Sequence, residues 1–192
     1  MGGSNVISSM KHPEMVSLNE RKYTMLEATN DPQKIGQALR WIVSLLKHYA
    51  IPYQICGGMA AKAYGATRPL VDIDIYASLQ ESPHFQAFLD EIQPYLIREW
   101  APWLSASWDI LYLALNYQNM QIEIAESTTH PRFYNHRDGR WEDQSIDFAA
   151  STRVHLYGVE VAIMPKDELL AYKAMLDREV DHLDREQITV VS

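Results

Sequence analysis

Two aspartates one residue apart, Asp72 and Asp74, stand in the run Leu70-Val71-Asp72-Ile73-Asp74-Ile75-Tyr76. Alternation of apolar and acidic residues has the two-residue period of a strand. It sets both carboxylates on one face and Val71, Ile73 and Ile75 on the other. At that separation the two negative charges repel unless a cation sits between them, and a hard divalent ion suits paired carboxylates. Taken alone, an Asp-x-Asp pair also fits the wet face of an edge strand. Here it follows a short apolar run, Ile51 to Cys56, then Gly57 and Gly58, then a small-residue segment, Met59 to Ala66, suited to a closely packed helix. A strand, a glycine turn and a helix in that order offer backbone N–H groups that a phosphate can approach. Phosphates and a divalent metal belong together.

The stretch Ile55 to Ala77 resembles the signature of the nucleotidyltransferase superfamily, the DNA polymerase β-like fold. That signature is a hydrophobic strand ending in Gly-Gly or Gly-Ser, a helix and turn, then Asp-h-Asp-h, with h apolar. Gly57-Gly58 and Asp72-Ile73-Asp74-Ile75 fill it. The form is most similar to small prokaryotic members: antibiotic nucleotidyltransferases of the lincosamide and aminoglycoside type, and the nucleotidyltransferase-like proteins of toxin–antitoxin and abortive-infection systems. Arg68-Pro69, just before Asp72, is similar to the lincosamide type in particular.

The resemblance implies an α/β (α+β) fold, a mixed β-sheet flanked by helices. It implies a third carboxylate on a later strand, and Glu123 within Met120 to Ala125 matches that position, with Ile122 and Ile124 pointing the other way; Glu126 competes for the role. A lysine on a C-terminal helix is also implied, and Lys173 matches it as a group reaching the phosphates. Arg178, Asp181 and Asp184 match the polar tail after it. On this reading Asp72, Asp74 and Glu123 are the catalytic and metal-binding residues. Two Mg2+ ions, or Mn2+ in their place, neutralise a nucleoside triphosphate, ATP first among the donors. Gly57, Gly58, Arg68 and Lys173 contact the donor, with Arg68 paired either to a phosphate or to a carboxylate of the site. The implied reaction moves a nucleoside monophosphate onto a hydroxyl of a small molecule, a protein or an RNA end and releases pyrophosphate. The alternative is a non-catalytic, antitoxin-like interaction protein that keeps the fold and binds another chain.

Other elements position this stretch. Asp31 is a helix N-cap with Pro32 at the first helical position, and Ile35, Leu39, Ile42, Leu45 and Leu46 recur at helical spacing through about Tyr49. Ser82-Pro83 opens a second helix with Phe85, Phe88, Leu89, Ile92 and Leu96 as its stripe. Residues 99–107, with Trp100, Pro102 and Trp103, read as an irregular or short helical connection, their aromatic rings filling core or stacking on a base or acceptor. Trp108 to Asn116 and Met120 to Ala125, around Gln118-Asn119, read as a hairpin. Residues 128–140 carry His130, Arg132, His136, Arg137 and Arg140 and read as a mobile basic loop beside the acidic site, either touching triphosphate or acceptor or solvated with no ligand; the two histidines lack zinc-site spacing. Residues 147–164 suggest two strands around Gly158, and Pro165 starts one long last helix.

The chain of 192 residues is read as a loosely ordered segment, 1–30, and a single domain, 31–192. A formal charge of −8 argues against broad nucleic-acid binding, not against a nucleotide carried with magnesium. The one cysteine, Cys56, falls inside an apolar strand and reads as a buried structural thiol. No apolar run reaches membrane-spanning length, and Val6 breaks the myristoylation pattern begun by Met1-Gly2. Cytoplasmic localisation is the expectation.

Overall fold

Asp31 caps the first helix as its sequence predicts: its carboxylate accepts from the backbone N–H groups of Gln33 (2.9 Å) and Lys34 (3.4 Å), and α1 runs Pro32–His48. The computed structural model describes residues 27–190, with the side chain of Val190 left aside. The loose segment expected over 1–30 falls for the most part outside these residues. Within them Thr29 exchanges backbone hydrogen bonds with Leu70 at 2.7 and 2.8 Å.

Then follow β1 (Tyr53–Ile55), α2 (Gly57–Ala63), β2 (Asp72–Ala77), α3 (Phe85–Ile92) and a 3-10 turn (Gln93–Tyr95). After these come β3 (Leu96–Leu104), β4 (Trp108–Tyr117), β5 (Met120–Glu126), β6 (Arg132–Asn135), β7 (Arg140–Asp143), β8 (Thr152–Leu156) and β9 (Val159–Ile163). The helices α4 (Lys166–Leu176) and α5 (Glu179–Val190) close the order. The strands form one mixed sheet in the order β7-β6-β4-β5-β2-β1-β9-β8, with β3 pairing β4. The pairs β2·β5 and β1·β9 are parallel; the others are antiparallel. Helices flank this sheet, α1 packing on β5 and β9 and α2 on β2, as the α/β reading expected.

The apolar stripe of α1 (Ile35, Leu39, Ile42, Leu46) joins the alternate residues of the central strands (Ile73, Ile75, Ile122, Ile124, Val161, Ile163) in one core, all fully or nearly fully buried. Each such side chain contributes roughly 1.5–3 kcal/mol of burial, which makes this face rigid and leaves the opposite residues of the same strands for chemistry. The hairpin between β4 and β5 turns at Gln118 and Asn119, both with positive φ (51° and 63°), the backbone a tight two-residue hairpin requires.

Three local expectations are corrected. Residues 96–104 form a nine-residue strand, where residues 99–107 were expected as an irregular or short helical connection and Leu96 as part of the second helix's stripe; α3 ends at Ile92. Pro102 concealed it: among the described residues β3 pairs only with β4, and proline, which cannot donate, is tolerated at such a sheet border. The basic stretch 128–140 contributes the hairpin β6–β7, in which an ion pair of Arg132 with Asp109 ties β6 to β4 and Arg140 donates to Glu142 (2.7 Å), so these two arginines are paired locally. The last helix is two helices, broken at Asp177, whose φ of +55° is left-handed. Aspartate tolerates that region better than most residues, and the break redirects the chain at Arg178.

Candidate active site

Parallel pairing of β2 with β5 sets Asp72 opposite Gln121 and Asp74 opposite Glu123. Because Ile73, Ile75, Ile122 and Ile124 turn into the core, the strand period sends Asp72, Asp74 and Glu123 to the other face. Each offers an oxygen within 4.8 Å of the others. They open into a cavity of about 370 Å³.

The three carboxylates are only partly compensated by the cations near them. Repulsion from Asp74, with burial and Glu123 behind it, pushes the Asp72 carboxyl up to about 8 against Arg68 and Arg178. Burial, then Asp74, pushes Glu123 up to about 7, opposed by a hydrogen bond from Gln121 (2.7 Å). Asp74 is raised by burial, with Lys173, Arg178, Arg68 and the Gly58 N–H pulling the other way. A cluster whose carboxyls resist ionisation is a set of oxygen donors awaiting a positive charge.

The glycine pair is explained by the site's own side chains. Gly57 has φ +58°, and a Cβ there would lie 2.8 Å from the carboxyl carbon of Asp74 and closer still to Oδ2. At Gly58 a Cβ would lie 2.6 Å from a guanidinium nitrogen of Arg68 and 3.0 Å from Leu70. The first demand on these glycines is therefore room for Asp74 and Arg68. The turn is also fastened to β2 by the Cys56 N–H donating to the Asp74 carbonyl at 3.0 Å.

Arg68 lines the cavity and donates from its Nε to Asp184 (2.7 Å). Of the two pairings foreseen for it, phosphate or site carboxylate, the second is not made: its carboxylate partner, Asp184, stands on α5. Lys173, expected to reach the phosphates, does not line the cavity. Its side chain is 1% exposed, with the ammonium 3.0 Å from Asp181 and 2.8 Å from Asp184. Arg178 lines the cavity instead, its Nε donating to Asp181 (2.6 Å) and its guanidinium 4.9 Å over the Trp108 ring. Sequence reasoning placed Arg178 only in a polar tail. The signal for its exposure was the apolar period breaking after Leu176, which the αL break at Asp177 realises.

Glu126 is excluded as the third carboxylate. It is fully buried and accepts from the N–H groups of Leu79 (3.1 Å), Gln80 (2.9 Å) and Thr128 (3.0 Å), so its charge is consumed in holding the loop after β2. Cys56 is buried and its thiol is pushed well above its ordinary range by burial, which rules it out as a nucleophile at neutral pH. The two tryptophans of residues 99–107 part ways. Trp100 packs edge-on against Phe85 at 5.3 Å, whereas Trp103 lines the cavity beside Trp108, ring centroids 6.2 Å apart and 15° from parallel. With Ile110 and Tyr112 they make an apolar wall facing the carboxylates.

No family model and no curated protein sequence matches the chain. Solved structures do match in fold. A Thermotoga maritima protein described as a candidate nucleotidyltransferase aligns over 85% of this chain and 98% of its own, with a TM-score of 0.59 and 17% identity. The lincosamide antibiotic adenylyltransferase LnuA, solved with lincomycin bound, aligns over 86% of this chain and all of its own, with a TM-score of 0.57 and 16% identity. The antibiotic-resistance factor ANT(2'')-Ia aligns over 83% and 90%, with a TM-score of 0.51 and 12% identity. The chain thus has the nucleotidyltransferase fold, as its glycine pair and Asp-h-Asp run implied. No helix among the described residues is long and apolar enough to cross a membrane.

Proposed function

We propose that the chain is a metal-dependent nucleotidyltransferase that moves a nucleoside monophosphate from a nucleoside triphosphate, ATP first among donors, onto a hydroxyl of a small molecule, a protein or an RNA end. The observation that carries this reading is the convergence of Asp72, Asp74 and Glu123 within 4.8 Å beside the Gly57-Gly58 turn. A fold has no structural need for three mutually repelling carboxylates on the rim of a cavity. All the donors are hard oxygens with no thiolate or imidazole among them, which fits Mg2+ or Mn2+ rather than zinc.

Asp72, Asp74 and Glu123 would hold the ions, which when bound supply charge neutralisation of the donor and acidify the attacking hydroxyl. Arg68 and Arg178 present planar N–H forks to phosphate oxygens and hold the pyrophosphate portion as it leaves. Trp103, Trp108, Ile110 and Tyr112 exclude water from one side and offer flat apolar contact to a ring of the donor or acceptor. The formal charge of −8 disfavours a long RNA acceptor and favours a cationic or neutral hydroxylated molecule.

Pyrophosphate release, measured with each of the four ribonucleoside triphosphates and Mg2+ or Mn2+ against a panel of aminosugars, amino alcohols, proteins and RNA ends, tests the reading. Release that needs metal and acceptor and disappears in Asp74→Asn is the expected result. Turnover in Asp74→Asn within a few-fold of wild type refutes the assignment.

A further inference from the structure

Three cations and two anions meet behind the cavity wall. Lys173 on α4 sends its ammonium to Asp181 (3.0 Å) and Asp184 (2.8 Å) on α5, and all three side chains are at most 1% exposed. Each aspartate also takes an arginine. Arg68 donates Nε and a terminal nitrogen to Asp184 at 2.7 and 3.0 Å, and Arg178 donates Nε and a terminal nitrogen to Asp181 at 2.6 and 3.1 Å. The arginines are the two members that emerge, with 21% and 39% of their side chains exposed, and both line the cavity that Lys173 does not reach.

Removing an ion pair from water is unfavourable unless its geometry is tight and its remaining hydrogen-bonding capacity is met. Two aspartates with one arginine each would already be neutral, so the added lysine is not needed to cancel charge. It gives the network a surplus positive charge and ties together two arginines that come from unrelated places: the loop between α2 and β2, and the break between α4 and α5. The Thr67 N–H donating to Gln187 (2.7 Å) fastens that loop to α5 a second time.

We infer that Lys173 is a positioning residue which, through Asp184 and Asp181, sets Arg68 and Arg178 as a paired seat for the polyphosphate of the donor. The inference rests on the proposed function for the identity of its ligand. Lys173 acts through the arginines and does not touch phosphate. Its ammonium fixes the spacing of two forks, each held from behind in two hydrogen bonds, with Arg68 donating a further one from its other terminal nitrogen to the Pro69 carbonyl (3.3 Å); the N–H groups that remain on the outer edges are offered to a phosphate oxygen.

The test uses the full chain labelled with ¹⁵N-arginine, wild type and Lys173→Met, with inorganic triphosphate and Mg2+ as the probe. In wild type the Nε–H resonances of Arg68 and Arg178 should be shifted and slow to exchange. In Lys173→Met both should lose that protection, and triphosphate affinity should fall at least tenfold while Mn2+ binding persists. Loss of affinity with both resonances unchanged would make Lys173 a direct phosphate ligand and overturn the inference. Unchanged resonances with affinity within twofold of wild type would overturn it equally.

If Lys173→Met does not fold, Asp181→Asn and Asp184→Asn decide. Each should release its own arginine, Arg178 or Arg68 respectively, and weaken triphosphate; two protected arginines in both variants refute the network's role. Should wild type bind no triphosphate at all, the function falls with the phosphate seat, whereas the resonances still decide whether Lys173 positions the arginines.

Discussion

Gly57→Ala separates backbone strain from damage to the carboxylate cluster. Gly57 has φ +58°, and holding an alanine there costs about 1–2 kcal/mol. The new methyl would also overlap the Asp74 carboxylate, 2.8 Å from its carbon and nearer to Oδ2, so that carboxylate must retreat by about 1 Å, a displacement able to lower a positioned reaction about 100-fold. Gly139→Ala is the matched control. Its φ is +69° and its nearest neighbour is the Tyr134 hydroxyl at 3.8 Å, so it carries the strain without a clash and lies on the β6–β7 turn. Both variants should lose roughly 2–8 °C in melting temperature. Mn2+ affinity, read by calorimetric titration at pH 8.5, should fall at least tenfold in Gly57→Ala and remain unchanged in Gly139→Ala. Mn2+ binding by Gly57→Ala within twofold of wild type would refute the account of why a glycine stands there.

The raised carboxyls also set a pH dependence. With Asp72 up to about 8 and Glu123 up to about 7, the folded metal-free protein holds more protons than the unfolded chain between the ordinary carboxylate range and pH 8, so its stability falls as pH rises through that window. A scan in EDTA from pH 5.5 to 8.5 should show a falling midpoint, the fall reduced by added Mg2+ or Mn2+ and made shallower in Asp72→Asn, where Glu123 still contributes; a midpoint that rises toward pH 8.5 without metal contradicts it. Asp31→Ala removes the cap of α1 and should destabilise by about 1 kcal/mol without changing Mn2+ affinity, as denaturant titration and calorimetry would show. Glu126→Gln should lower stability by roughly 1–3 kcal/mol, since the carboxylate holds three N–H donors. Metal affinity should stay unchanged there, whereas Glu123→Gln should reverse that pattern.

The centre of the site was legible because it is written in local periods. The alternation through Asp72 and Asp74 follows from strand geometry, whereas Glu123 came from the family resemblance; the Gln118-Asn119 turn sets the register that places it on the same face. What stayed hidden depends on partners far apart in the chain. Lys173 looks like a surface lysine on an amphipathic helix until Asp181 and Asp184 fold over it, and that fold-over requires a left-handed residue at Asp177 in a stretch that reads as continuous helix. β3 was obscured by Pro102, tolerated because among the described residues that strand pairs on one side. The basic run 128–140 suggested a loop able to touch a ligand, yet Asp109, across the β4–β6 pair, takes Arg132, and Glu142, two residues along β7, takes Arg140. A further demand on Gly57 was hidden in the same way. A glycine beside a presumed phosphate site invites the explanation of phosphate approach, and nothing in the run of residues shows that the Asp74 side chain also takes its Cβ space.

A thermal-unfolding scan with each ribonucleoside triphosphate, with and without Mg2+, on wild type and on Asp72→Asn/Asp74→Asn, tests the central claim most directly. A ligand at one hundred times its dissociation constant stabilises by about 2.7 kcal/mol, roughly 5–10 °C for a chain of this size. The account predicts a shift that needs both nucleotide and Mg2+ and vanishes in the double variant. A shift of equal size in the double variant, or none with any nucleotide in wild type, would contradict it.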